Sequence, residues 1–358
     1  MNDNQHIDRV ISTVESSIGH RLEVDRLGLE TAYSQDRNSH SLTVKVISII
    51  GGILASALFV GSLYIARLDQ TVPLLLILAL VFFSAAILIN KKYDKVILDA
   101  VSVSMYALSY LLLAMGLEPL PGISTMEITC VFFALGIVTL LISKSYILTF
   151  IAILVCAGSP AILIFELDIP ALSHILLIIW TFLFLLLTWN EPRLMSMPSM
   201  KNKRYLAMRT GLLFGILYYL YLVSKTDGFE IEWQWNLVSS GFLIIMTMWV
   251  INCLLNRFNC DETGKKIFIF TAVTICLGLT AMYPAISGSI LLLLLSFKVN
   301  YKTGIALSIA AILYFVGMFY YDLNISLLHK SIAMMVSGVF FLLLYFIIFK
   351  KPRTHEKA

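Results

Sequence analysis

From Val46 to Phe349 the chain is a succession of long apolar runs separated by short polar breaks. A helix needs about 20 predominantly apolar residues to cross the hydrocarbon layer of a bilayer, and that requirement constrains this sequence more than anything else in it. Twelve runs are candidate spans: Val46–Ala66, Val72–Ile89, Val96–Met115, Thr125–Ile142, Tyr146–Phe165, Leu172–Trp189, Arg209–Ser224, Asn236–Leu255, Ile267–Met282, Pro284–Phe297, Thr303–Tyr321 and Ser331–Phe349. The two that flank Pro284 are short, and ten spans follow if that pair does not cross. The predicted fold class is all-α, a polytopic transmembrane helical bundle.

Composition points the same way. Apolar residues make up 59% of the 358, and charged residues only 13%, about half the roughly 25% of a soluble domain. A soluble chain of this length lacks the ionic groups to cover its core, so its solvent is largely lipid. The predicted organisation is a cytosolic helical segment over 1–45, a membrane domain over 46–349 and a basic tail over 350–358. In the first segment Ile7, Val10, Ile11, Val14 and Ile18 recur at helical steps, with mixed charges rather than the basic face of a lipid-surface helix. Packing on the membrane domain and docking of a partner helix are both open readings. About 45 mostly polar residues precede the first apolar run, unlike a cleaved secretory signal, whose short basic region leads directly into its apolar core.

Orientation follows from the cations. With the N-terminus in the cytosol and the loops alternating, 23 of the 26 Lys and Arg fall on the cytosolic side, leaving Arg67, Lys225 and Lys330 outside. Cytosolic loops retain Lys and Arg during insertion, so both termini are expected in the cytosol. Tyr64, Trp233, Trp235, Tyr283, Tyr320 and Tyr321 sit at outer edges and Tyr93, Tyr146, Trp189 and Tyr301 at inner ones, the headgroup level that such rings favour.

Ionisable residues inside a span are costly and usually mark a function. Here Asp99, Glu127 and His174 lie near span ends, where each is expected to reach water. Their scarcity argues against a carrier with a buried carboxylate relay. Gly158-Ser159-Pro160 is read as a break in the fifth span, and Tyr283-Pro284 as a break between the ninth and tenth. Broken helices free backbone groups that can line a solute site, although proline kinks also serve packing alone. Gly211 and Gly215 form a small-xxx-small face for close helix contact. The outer face is acidic, through residues such as Glu166, Asp168, Glu230 and Asp322, which follows from insertion bias or offers a surface to a basic partner.

Several chemistries find no motif. The five cysteines have no metal-ligand spacing. There is no His-Glu-x-x-His, no phosphate-binding Gly-x-x-x-x-Gly-Lys loop and no Gly-x-Ser-x-Gly elbow. Gly122-Ile123-Ser124 is read as a turn. No enzyme activity, cofactor, metal or nucleic-acid partner is expected.

The most polar short connection between long runs is Phe319 to Ser331. Asn324 or Ser326 can cap the last helix. Lys330 then sits in its first turn, where the helix dipole disfavours a cation, and on the side where cations are scarce. Asp322 is the nearest candidate partner, and snorkelling of Lys330 to the headgroups is the plain alternative. Tyr320, Tyr321, Asp322, Lys330 and Ser331 are therefore the candidate partner- or solute-binding residues.

Tyr320-Tyr321-x-Leu323-x-x-x-Leu327-Leu328-x-Lys330-Ser331, followed by Gly338, resembles the C-terminal signature of a family of bacterial multi-span membrane proteins catalogued only as domains of unknown function. The resemblance implies a bacterial inner-membrane protein, encoded beside a small membrane-anchored protein with a Gly-Asp-Tyr motif, and carries no activity with it. Two functions stand as expectations. One is a scaffold or assembly component for a small periplasm-facing partner. The other is a carrier for a small or amphiphilic solute through a cavity near Pro160 and Pro284.

Overall fold

In the computed structural model, residues 42–92, 96–195, 199–225, 233–257 and 263–322 are described, together with 11–12, 15–16, 328, 331–332, 335–336, 338–339 and 342. Among them the chain is helical and contains no strand. The helices are α1 (Leu42–Ile65), α2 (Val72–Lys92), α3 (Val96–Leu117), α4 (Thr125–Ile142), α5 (Tyr146–Glu166), α6 (Ala171–Trp189), α7 (Glu191–Met195), α8 (Ser199–Ser224), α9 (Trp233–Arg257), α10 (Thr263–Leu279), α11 (Pro284–Lys298) and α12 (Lys302–Asp322). The amphipathic repeat beginning at Ile7, the Asn324 and Ser326 caps and most of the twelfth predicted span lie outside the described residues.

Eight helices among the described residues are long and apolar enough to cross a membrane: α2 to α6, α8, α9 and α12. Three further apolar segments are shorter, Ile50–Ile65, Lys266–Ile275 and Pro284–Lys298. At 1.5 Å per residue the 15 residues of α11 reach about 22 Å, short of a hydrocarbon core of about 30 Å. Its start is fixed by Pro284 in the first turn, where the missing amide costs no hydrogen bond. The surfaces of these helices are arranged for lipid. Leu80, Leu141, Ile245 and Leu313 are exposed, whereas Ser102, Thr139 and Thr247 are buried. Each of those buried hydroxyls donates to the carbonyl four residues earlier, on Leu98, Leu135 and Leu243 at 2.7–2.8 Å, which satisfies it without a partner helix.

The chain divides into two compact units. Unit 1 comprises Met1–Ile169 and Trp189–Gly215, and unit 2 comprises Pro170–Thr188 and Ile216–Ala358, with the boundary falling inside α8. In unit 1, α3 packs on α1 and α2, and α4 on α5. Short connections make such neighbours antiparallel, and the one between α4 and α5 is only Ser143-Lys144-Ser145. Ser124 opens α4 by accepting from the Glu127 amide while its own amide donates to the Glu127 carboxylate at 3.0 Å, a reciprocal cap. Gly122 makes the preceding turn at φ +89°, a conformation that glycine adopts without strain. In unit 2, α11 packs on both α9 and α12.

Two readings of the sequence need correction. Pro160 does not break the fifth span, because α5 runs uninterrupted from Tyr146 to Glu166 with Pro160 inside it. The ring removes one amide from the ladder, and the helix continues through that single loss. Ser159 beside it donates to the Val155 carbonyl at 2.8 Å. The helix that carries the seventh predicted span begins at Ser199 rather than Arg209, and its span-capable stretch is Arg204–Ser224. Lys201, Lys203 and Arg204 read as a loop on hydropathy, yet Lys and Arg are good helix formers.

Candidate functional site

The densest polar site in unit 1 is built around Asn90, the third-last residue of α2, whose side chain is buried. Its Nδ2 donates to Asp99 Oδ1 in the first turn of α3 at 3.1 Å. Its Oδ1 faces three donors of the α4–α5 connection: the Ser143 hydroxyl at 3.4 Å and the amides of Lys144 and Ser145 at 3.2 and 3.3 Å. One carboxamide thus ties the ends of α2 and α3 to the turn between α4 and α5. Ser145 in turn caps α5, accepting from the Ile147 amide at 3.2 Å, and its carbonyl receives the Thr149 hydroxyl at 2.7 Å. Asp99 is therefore a fixed acceptor rather than a carboxylate turned simply to water. An Asn90→Leu change removes these hydrogen bonds together, and a buried donor or acceptor left unsatisfied costs about 1–3 kcal/mol. The expected result is a clear fall in the thermal unfolding midpoint in detergent, and an unchanged midpoint would remove the clamp.

A second site in the same unit is an ion pair. Arg209 Nη1 meets Glu191 Oε1 at 2.9 Å, with the two side chains only 10% and 13% exposed. The Arg209 guanidinium also lies 5.4 Å from the ring of Tyr205, which is 2% exposed. Arg204 donates to the carbonyl of Leu140 near the end of α4. Arg209, read from sequence as the cation that opens the seventh span on the cytosolic side, is thus a buried helical residue with a carboxylate partner on α7.

Unit 2 holds the third polar site. His174, expected to reach water, is fully buried. Its Nδ1 lies 2.9 Å from Ser239 Oγ on α9. The Ser239 hydroxyl is within reach of two backbone acceptors, Trp235 O at 3.1 Å and Asn236 O at 3.3 Å; when it donates to either, it accepts from His174. That order places the imidazole proton on Nδ1 and leaves Nε2 as a buried acceptor with no hydrogen-bond partner. Asn236 Oδ1, Ser240 Oγ and Thr181 Oγ1 are also buried without one. At the α10–α11 break, Thr280 Oγ1 and Ser287 Oγ are 3.1 Å apart. Buried polar atoms normally find partners, so this concentration within one unit is informative.

Of the residues chosen from sequence, Tyr320, Tyr321, Asp322 and Ser331 are among the described ones. Tyr320 and Tyr321 end α12 with rings edge to face at 5.7 Å, and Tyr321 is 78% exposed. Asp322 is the last residue of α12, Lys330 lies outside the described residues, and Ser331 is exposed with its hydroxyl donating to Leu328 O at 2.9 Å. Asn90 and Ser239 escaped the sequence reading because each is a single polar residue whose partner lies more than 50 residues along the chain; Glu191 did so because its partner, 18 residues on, belongs to a different helix. The pair at Glu191 left one trace, an acidic residue inside an otherwise basic connection.

Among proteins of known sequence, the family described as Domain of unknown function (DUF4401) matches residues 41–351. No curated protein and no solved structure matches the chain.

Proposed function

The chain belongs to the DUF4401 family, a domain of unknown function covering most of its length, and on that premise we propose a structural role. The protein is a multi-pass protein of the bacterial inner membrane, with both termini in the cytosol, that serves as a scaffold for a small periplasm-facing partner. What supports this reading is the way unit 1 uses its buried polar groups. Asn90 and Asp99 join helix ends, and Arg209 is closed on Glu191. On the charge-derived orientation both clamps lie at cytosolic helix ends. Groups held in this way make a rigid platform, whereas a coupled carrier needs ionisable groups that change partners. On that orientation the partner docks at the periplasmic end of α12, where Tyr321 is exposed and Lys330 follows in the sequence.

Purification in mild detergent tests the proposal. A small membrane-anchored protein is expected at a stoichiometric level, and Lys330→Ala is expected to release it while insertion stays normal. Recovery of the protein alone under every mild condition would sink the scaffold.

The hydroxyl-lined interior of unit 2 favours a second reading, a carrier for a small uncharged solute. The Pro284 break belongs to that unit, while Pro160 lies in a continuous helix of the other. The site for such a carrier is therefore drawn around α6, α9 and α11 alone.

A further inference from the structure

We propose that the interior of unit 2 is a binding site for a small uncharged molecule carrying N–H or O–H donors, of the amide or alcohol type, received by Nε2 of His174. This deepens the carrier reading above and can be separated from it experimentally.

The inference rests first on the imidazole. With its Nδ1 proton given to Ser239 Oγ at 2.9 Å, Nε2 presents a lone pair in a site with no exposed surface, and no group among the described residues meets it. A buried acceptor left in this way is costly, a penalty that a donor from outside the chain removes. Asn236 Oδ1, one helical turn before Ser239 on α9, is a second unmet acceptor. Both atoms therefore select for a ligand that donates. The unmet hydroxyls of Ser240 and Thr181, on the same two helices, can either donate or accept.

The charge of the ligand is decided by what surrounds it. Among the described residues of unit 2, no Lys, Arg, Asp or Glu is buried. A cation or anion brought into this interior would have no counter-charge, and an unpaired ion in a medium of low dielectric is far more costly than an unpaired dipole. A polar but neutral solute meets both conditions. Water supplies the same donor chemistry, so the experiment must separate the two sources.

Protein with 15N-labelled histidine, purified full-length into nanodiscs, provides the readout. The His174 signals are identified by their loss in His174→Gln. The probes are acetamide and N,N-dimethylacetamide, which share a carbonyl but differ in N–H donors. The expected result is that Nδ1 is the protonated nitrogen and that acetamide moves the Nε2 resonance saturably, while dimethylacetamide leaves it in place. Ser240→Ala, which keeps the His174–Ser239 pair, is expected to weaken the acetamide response several-fold. If neither probe moves the signal the site holds resident water or nothing, and the proposal fails. If both move it alike the effect is not donor recognition, and it fails again. Binding without acetamide flux into liposomes leaves the site standing and removes the carrier.

Discussion

Glu191→Ala is expected to destabilise the protein by about 3–5 kcal/mol, the cost of leaving one member of a buried ion pair without the other. The magnitude follows from the setting. Arg209 lies within the apolar stretch of α8, its side chain is 10% exposed, and guanidinium cannot shed its proton to escape burial. At the surface the same pair would be worth 1 kcal/mol or less. The nearby Tyr205 ring at 5.4 Å contributes a further attraction, about 0.5–2 kcal/mol in such geometries, which is too small to replace a carboxylate. Replacing both partners, as Glu191→Leu with Arg209→Met, is expected to recover much of the loss, because apolar pairs of similar volume are often neutral against a buried ion pair. Thermal or denaturant unfolding in detergent, read as a double-mutant cycle, decides the matter. If the two single losses simply add in the double variant, the groups do not interact and the clamp is wrongly assigned.

The second large effect is expected at Gly211. A Cβ built there would sit 2.9 Å from both Cβ and Cγ2 of Ile153 on α5, and an atom so close to the backbone has little room to move. Two effects oppose one another in Gly211→Ala. Helix propensity favours alanine by about 1 kcal/mol, while overpacking a close contact costs about 1–3 kcal/mol. Overpacking wins, and Gly211→Leu, which inserts a whole branched side chain, is expected to separate α5 from α8 and to leave little monodisperse protein in size-exclusion chromatography. Gly241 in α9 supplies the opposite sign, since nothing lies within 4 Å of its built Cβ. There the propensity term acts alone, and Gly241→Ala should raise the unfolding midpoint. Equal responses at the two glycines would show that close approach is not what Gly211 provides.

The helices were more legible in the sequence than the polar sites. α4 has the boundaries expected for it, Thr125–Ile142, because a Pro-Gly turn precedes it and a run of three polar residues follows. α6 starts within one residue of its expected position. Where a cationic stretch continues into an apolar one, as from Lys201 to Arg209, hydropathy hides the helix, since charge is compatible with helix but not with lipid. The polar sites are hidden for another reason. Asn90 meets donors 53 to 55 residues away, and His174 meets Ser239 at a separation of 65. No local period encodes such pairs; they exist only once helices pack. His174 also misled by its place, four residues into α6, where a helix end suggested water and a neighbouring helix supplied burial instead.

The long separation at Asn90 has a consequence for biogenesis. When α2 and α3 enter the membrane, the carboxamide oxygen that will receive Ser143, Lys144 and Ser145 has no protein donor, because those residues have yet to be made. At about 5–20 residues per second of translation, the gap of 55 residues corresponds to about 3–11 seconds. During that interval the first helical hairpin must rely on its leucine and alanine contacts, such as Leu75, Ala79 and Leu112, and on headgroup water. Closure of the Asn90 node is thus a late event, a latch that engages only after the second hairpin has arrived beside the first.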